Sequence, residues 1–191
     1  QGFDIPLDET SVFANAYIKA KRQLESLGLQ VIPAATNFRS LDLDWTQAFG
    51  AGVASVLMLL GKRFSRGLIA LGAPVGSYGM MVVGSNPLTD RLLSSNAFQI
   101  IPDGAAHGRV DKARIVANWP EAMEGMRICW AGEHKDRNCC ECEKCIRSIL
   151  TFRVLGLGLP PCFERDVTDQ QIAGLRALTE FKISVGYEEI I

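Results

Sequence analysis

No apolar run in this 191-residue chain approaches the roughly 20 residues that a membrane-spanning helix requires. The longest, Ala48 to Leu60, has thirteen. A membrane span is therefore not expected, and the run reads instead as a buried helix. Net charge is equally scant, −1 from 20 basic and 21 acidic residues, and the basic residues form no run. That removes any general attraction to phosphate backbones, so nucleic acid is not expected as a partner. Internal repeats and low-complexity segments are also missing. What is present, 48% hydrophobic and 21% charged residues, suffices for one well-buried core.

The chain opens Gln1-Gly-Phe-Asp-Ile-Pro6, with neither a Met nor a turn before an apolar run. This reads as a fragment that starts inside a domain, or as a processed chain. The six cysteines come without a signal peptide and cluster at metal-ligand spacing, so a reducing cytoplasmic setting is expected rather than a disulfide scaffold.

Cys139, Cys142 and Cys145 form a C-x2-C-x2-C array, and Cys129 lies ten positions upstream at the end of the apolar segment Arg127-Ile-Cys-Trp130. Four thiolates that can meet at one point make a closed tetrahedral Zn²⁺ site, and a tight turn carrying three of them plus one from a neighbouring strand supplies that geometry. Structural zinc on Cys129, Cys139, Cys142 and Cys145 is the working expectation. A [4Fe–4S] cluster also uses C-x2-C-x2-C, but the bacterial ferredoxin pattern places a further Cys-Pro where Ile149 stands here; a remote fourth ligand leaves iron open. Disulfides within the array would be strained by diverging Cβ vectors. His134, between Cys129 and Cys139, is an alternative ligand. Cys140 is left over beside Glu141 and Glu143, which disfavour a reactive thiolate, and Cys162 reads as a small buried hydrophobe.

Around this array the pattern alternates. Thr10 or Ser11 is placed to cap a helix with apolar positions Val12, Ala16, Tyr17, Ala20, Leu24 and Leu27, closed at Gly28. A strand is expected at Leu29 to Pro33, a helix from Trp45 to Leu60 capped by Asp44, and a strand at Gly67 to Leu71. The Gly-, Pro- and Ser-rich stretch from Gly72 to Asn86 reads as a loop. Then follow a helix at Pro87 to Ser95, a strand at Phe98 to Ile101, a helix at Arg109 to Trp119 and a strand at Met126 to Trp130. The last elements are a helix from Ile146 to Leu155 and, after the capping-box pattern Thr168-Asp-Gln-Gln171, a helix through Thr179. Such alternation predicts an α/β fold with a parallel sheet: residues 1–125 as the sheet domain, 126–191 as the cysteine turn with C-terminal helices packed on it.

With a cysteine array placed after an α/β alternation, the chain resembles 7-cyano-7-deazaguanine synthase relatives in the PP-loop ATP pyrophosphatase superfamily. The specific part of the resemblance is Cys129, Cys139, Cys142 and Cys145, with Arg147 just beyond; Gly2-Phe-Asp4 and the following helix match that fold's second strand and helix more loosely. The resemblance implies a Rossmann-like, adenine-nucleotide-hydrolase-like sheet, incomplete here at its N-terminus. It also implies ATP and Mg²⁺ as cofactors of the full-length protein and adenylation of a small molecule or nucleobase precursor with release of pyrophosphate. The family's Ser-Gly-Gly-x-Asp-Ser loop, which cradles pyrophosphate on backbone N–H groups, does not occur in this chain. Gly72 to Ser77 and Val83 to Ser85 are glycine-rich but lack the pattern. The expectation is that the loop precedes Gln1 and that the 191 residues alone are inactive. A member that never used ATP is the rival, and an iron–sulfur protein of the tRNA-thiolating kind is a third reading.

Loops after strands bind ligands in open α/β sheets, which selects the candidates. They are Ser85, Asn86, Asp90 and Arg109 for nucleotide or substrate binding, with Asp103 and Lys112 for catalysis. Each has a plainer reading. Ser85 and Asn86 precede Pro87 and would cap a helix, Asp90 would pair with a neighbouring charge, and Asp103 suits a Pro-Asp-Gly turn. Arg109 and Lys112 would form a solvated first turn, and His107 a loop residue. A small-molecule substrate is expected, and self-association is left open.

Overall fold

A computed structural model describes residues 1–72, 76 and 83–175. These fall into two compact units, one formed by residues 36–108 and the other by residues 1–35 together with the chain from 109 onward. The protein is mixed α/β, as the alternation predicts. Among the described residues the sheet has two parallel strands, both in the first of these units.

In that unit, Asp44 accepts the Thr46 N–H at 2.9 Å and starts helix α2 (Trp45–Met58), as expected for an N-cap aspartate. The Arg39 guanidinium stacks over the Trp45 ring at 4.6 Å. α2 is not buried all round. Only Gly50, Gly52 and Ala54 are buried, and Leu59 beyond its end is 80% exposed. Its small residues form the inner stripe because backbone lies directly against them: a methyl group on Gly50 would overlap the carbonyl oxygen of Gly84. Strand β1 (Arg66–Ala70) pairs in parallel with β2 (Gln99–Asp103), Arg66 opposite Gln99 and Ala70 opposite Asp103. Ala54, Ile69, Phe98 and Ile100 form the core, with Val53, Leu57, Met58 and Leu93 packed on it. The outer N–H of Ile100 donates to Ser94 Oγ at 3.0 Å, and Pro102 has no N–H, so this edge of β2 offers little to a further strand.

The helix expected at Pro87 to Ser95 is only a turn followed by a 3₁₀ segment, Asp90–Leu93. The loop from Gly72 to Asn86 lies partly outside the described residues.

In the other unit, α1 (Thr10–Glu25) begins at Thr10 itself and neither Thr10 nor Ser11 caps it. Its far end closes as expected, Gly28 N–H donating to Glu25 O and Leu29 N–H to Leu24 O, the paired bonds of a Schellman end. No strand forms at Leu29 to Pro33: no described strand pairs with it, Pro33 lacks a donor, and Leu29 and Ile32 are about half exposed. The helix expected from Arg109 to Trp119 stops earlier, as α3 (Arg109–Val116), and Pro120 begins a separate helix, α4 (Pro120–Gly125). Trp119 is extended, as a residue before proline tends to be. α1 packs on α4, and α3 on α5 (Glu143–Val154). The final described helix, α6 (Asp169–Gly174), has the full capping box between Thr168 and Gln171; its expected continuation to Thr179 lies outside the described residues. No helix among the described residues is long and apolar enough to cross a membrane.

Candidate metal centre

The sulfur atoms of Cys129, Cys139, Cys142 and Cys145 all lie within 4.8 Å of one another. Cys129 Sγ stands 3.3 Å from Cys139 Sγ and 3.6 Å from Cys142 Sγ, and Cys139 Sγ is 3.9 Å from Cys145 Sγ. Four sulfurs bound to one zinc at about 2.3 Å would have tetrahedral edges of about 3.8 Å, so the residues present fit one such ion. All six cysteines are free thiols.

Three local structures bring the sulfurs together. Cys142 is the residue before α5 and Cys145 lies in that helix's first turn, so the helix starts three residues earlier than its apolar pattern indicates. Cys140 adopts φ 61°, a left-handed conformation uncommon for a non-glycine residue. The turn it makes aims the N–H groups of Glu141 and Cys142 at Cys139 Sγ, at 3.5 and 3.3 Å. Gly132 passes so close to Cys139 that an added Cβ would stand 3.0 Å from the Cys139 Cβ.

The strand expected at Met126 to Trp130 is absent, and one side chain does the work of a neighbouring strand. Asn138, 5% exposed, accepts the N–H groups of Ile128 and Cys129 at 2.8 and 3.1 Å. Its amide donates to the carbonyls of Met126 and Cys162 at 2.9 and 3.1 Å. Asn138 was not among the sequence candidates. Its only signal is its place immediately before the array, and neither periodicity nor ligand spacing marks such a residue.

Electrostatics differ sharply among the thiols. Burial pushes Cys145 far up and raises Cys142. At Cys129 burial acts in the same sense but is outweighed by bonds from the Cys139 N–H and thiol and from the N–H groups of Ala131 and Gly132, which bring it down to about 6. Without metal, burial therefore favours the protonated form of Cys142 and Cys145, protons that a bound divalent cation would displace. Cys162 lies outside the cluster, pushed up to about 11 chiefly by burial. Cys140 points its thiol at the Asn138 carbonyl, 3.8 Å away. His134 is exposed and not among the clustered ligand atoms.

The other sequence candidates are distributed over both units. Ser85, Asn86 and Asp90 are 4%, 6% and 1% exposed and bond to each other. The Asp90 carboxylate accepts Ser85 Oγ–H at 2.7 Å and the Asn86 N–H at 3.0 Å. Asn86 Oδ1 accepts the Leu88 N–H at 2.9 Å and so ties a turn; the helix that Ser85 and Asn86 were expected to cap does not form. Asp103 is exposed at the C-terminal end of β2, where Gly104 turns the chain with φ 76°. Arg109 and Lys112, half-buried, belong to α3 in the other unit.

No protein-family model, no curated protein and no solved structure matches this chain.

Proposed function

We infer that the chain carries one structural zinc ion on Cys129, Cys139, Cys142 and Cys145 and is the sheet-and-metal portion of a PP-loop-type enzyme that adenylates a small molecule. The observation that carries the metal reading is the convergence of four sulfurs within 4.8 Å of one another, with the pairs Cys129–Cys139, Cys129–Cys142 and Cys139–Cys145 at 3.3, 3.6 and 3.9 Å. One ion suits that spacing better than a four-iron cluster, whose thiolates each bind a different iron and stand further apart. When bound, the ion cross-links the loop after Met126 to the start of α5, with no ligand position left for water. Metal analysis of protein purified without added metal should give one zinc per chain, lost in Cys142→Ser and kept in Cys162→Ser. Stoichiometric iron and a brown chromophore would instead favour the tRNA-thiolating kind.

The enzymatic part rests on the resemblance together with a parallel β-pair whose C-terminal end presents Asp103. In this reading Lys112 and Arg109, both on α3, meet the negative charge of the nucleotide phosphates, and Asp103 is a separate candidate, by its place at the C-terminal end of β2, for positioning a reacting group. Ser85, Asn86 and Asp90 serve by holding their loop's backbone. In the full-length protein, ATP with Mg²⁺ and a carboxylate- or carbonyl-bearing acceptor should release pyrophosphate, and Asp103→Ala or Lys112→Ala should slow it at least tenfold. A zinc-loaded protein that releases none would favour the second reading, a non-catalytic zinc-stabilised α/β domain that binds a ligand or partner. The inward bonding of Ser85, Asn86 and Asp90 is the observation on that side.

A further inference from the structure

The four clustered cysteines are not equally accessible. Cys129 and Cys145 are 1% and 0% exposed, whereas Cys139 and Cys142 are half-buried and line a cleft of about 560 Å³ together with Gly132, His134, Arg137 and Arg165. Two exposed ion pairs, Arg137 with Glu164 at 3.5 Å and Arg165 with Glu141 at 2.9 Å, join the cleft's two walls. Pairs of this exposure hold only weakly, so the cleft stays open to a small molecule. The two cysteines outside the cluster are worse placed. Cys140 is 3% exposed, and Cys162, half-buried, does not line the cleft.

We propose that this cleft is a covalent modification site for small soft electrophiles, α,β-unsaturated carbonyl compounds, which add to Cys139 or Cys142 before any other cysteine of the chain. The thiol gives its proton to water, the thiolate sulfur attacks the β-carbon, an S–C bond forms as the C=C π bond breaks, and the α-carbon takes a proton back from water, so that the thiol has added across the double bond with no leaving group. The order of reaction follows from access alone. Loss of metal is a consequence that rests on the zinc reading: the thioether formed is a neutral, weaker ligand than the thiolate it replaces. The pair would then couple exposure to an electrophile with release of the cross-link that holds the segment from Met126 to α5.

The test is limited labelling of the protein as purified with N-ethylmaleimide, followed by peptide mapping of the singly modified chain, with zinc release read by a colorimetric chelator and total zinc by metal analysis. At one adduct per chain, more than four-fifths of the label is expected on Cys139 and Cys142, and zinc should appear in step with it. Cys162→Ser should leave the rate of the first adduct unchanged, and a maleimide carried on a long polymer should react at least tenfold more slowly than the small reagent. First labelling at Cys162 or Cys140, or a more than twofold slower first adduct in Cys162→Ser, would overturn the site. A protein without zinc that still labels at Cys139 and Cys142 first would support the cleft and count only against the metal reading. Zinc retained after complete labelling of both would overturn the coupling.

Discussion

The side-chain carbonyl of Asn138 accepts the backbone N–H of Cys129 at 3.1 Å and so fixes the one clustered cysteine that lies outside the C-x2-C-x2-C turn. The same amide holds Ile128, Met126 and Cys162. Asn138→Ala would leave buried N–H and C=O groups without partners, each worth about 1–3 kcal/mol. A loss of about 3 kcal/mol in unfolding free energy is expected, with weaker metal retention. Denaturant unfolding of the two proteins checks it, and a change below about 0.5 kcal/mol, the range of ordinary surface substitutions, would show that Asn138 does not hold this segment.

A second expectation concerns the inner face of α2. Gly50→Ala forces a methyl group into the backbone of Gly84, and overpacking of this kind costs about 1–3 kcal/mol. Gly174→Ala, with nothing within 4 Å of the added carbon, should be neutral or raise stability by a few tenths of a kcal/mol, since alanine is the better helix former. Thermal midpoints should therefore move in opposite directions or, at least, only Gly50→Ala should lower it.

The elements that could be read in the sequence are those whose signal is local. Asp44 caps α2, Gly28 closes α1 and the Thr168–Gln171 box starts α6, because each depends on residues within a few positions of itself. The parallel pairing of β1 with β2 also followed from alternation. Both missed strands, at Leu29 to Pro33 and Met126 to Trp130, have strand-like composition but no described partner strand. An isolated apolar run cannot reveal that a side chain such as Asn138, ten residues away from Ile128, meets its hydrogen bonds instead. The four clustered cysteines were legible because fixed spacing carries them, whereas the cleft beside them depends on the chain from Pro160 to Arg165 folding back, which no spacing records.

High pH should expose the burial of Cys162. Its pKa is raised from 9.0 to about 11 in the folded protein, so its contribution to stability is fully present below about pH 9 and is lost as pH rises towards 11. Stability of the wild type should fall more steeply between pH 9 and 11 than that of Cys162→Ala. Parallel slopes for the two proteins would contradict the burial of this thiol.

Removal of the metal should cost much more than any of these substitutions. Structural zinc contributes on the order of 10 kcal/mol to folding in small metal-dependent units, so a strong chelator should unfold at least the segment from Met126 to Gly156. Circular dichroism and the thermal midpoint, followed alongside zinc content, check this. An unchanged midpoint after complete zinc removal would mean that the cysteine cluster is dispensable to the fold.

The central claim is that four thiolates hold one zinc ion, and X-ray absorption at the zinc edge of the protein as purified tests it most directly. The expected result is a single shell of four sulfur atoms at about 2.3 Å with no nitrogen or oxygen scatterer, and loss of one sulfur or of the metal itself in Cys142→Ser. A shell containing nitrogen from His134, an open water position, or a protein without zinc would contradict it.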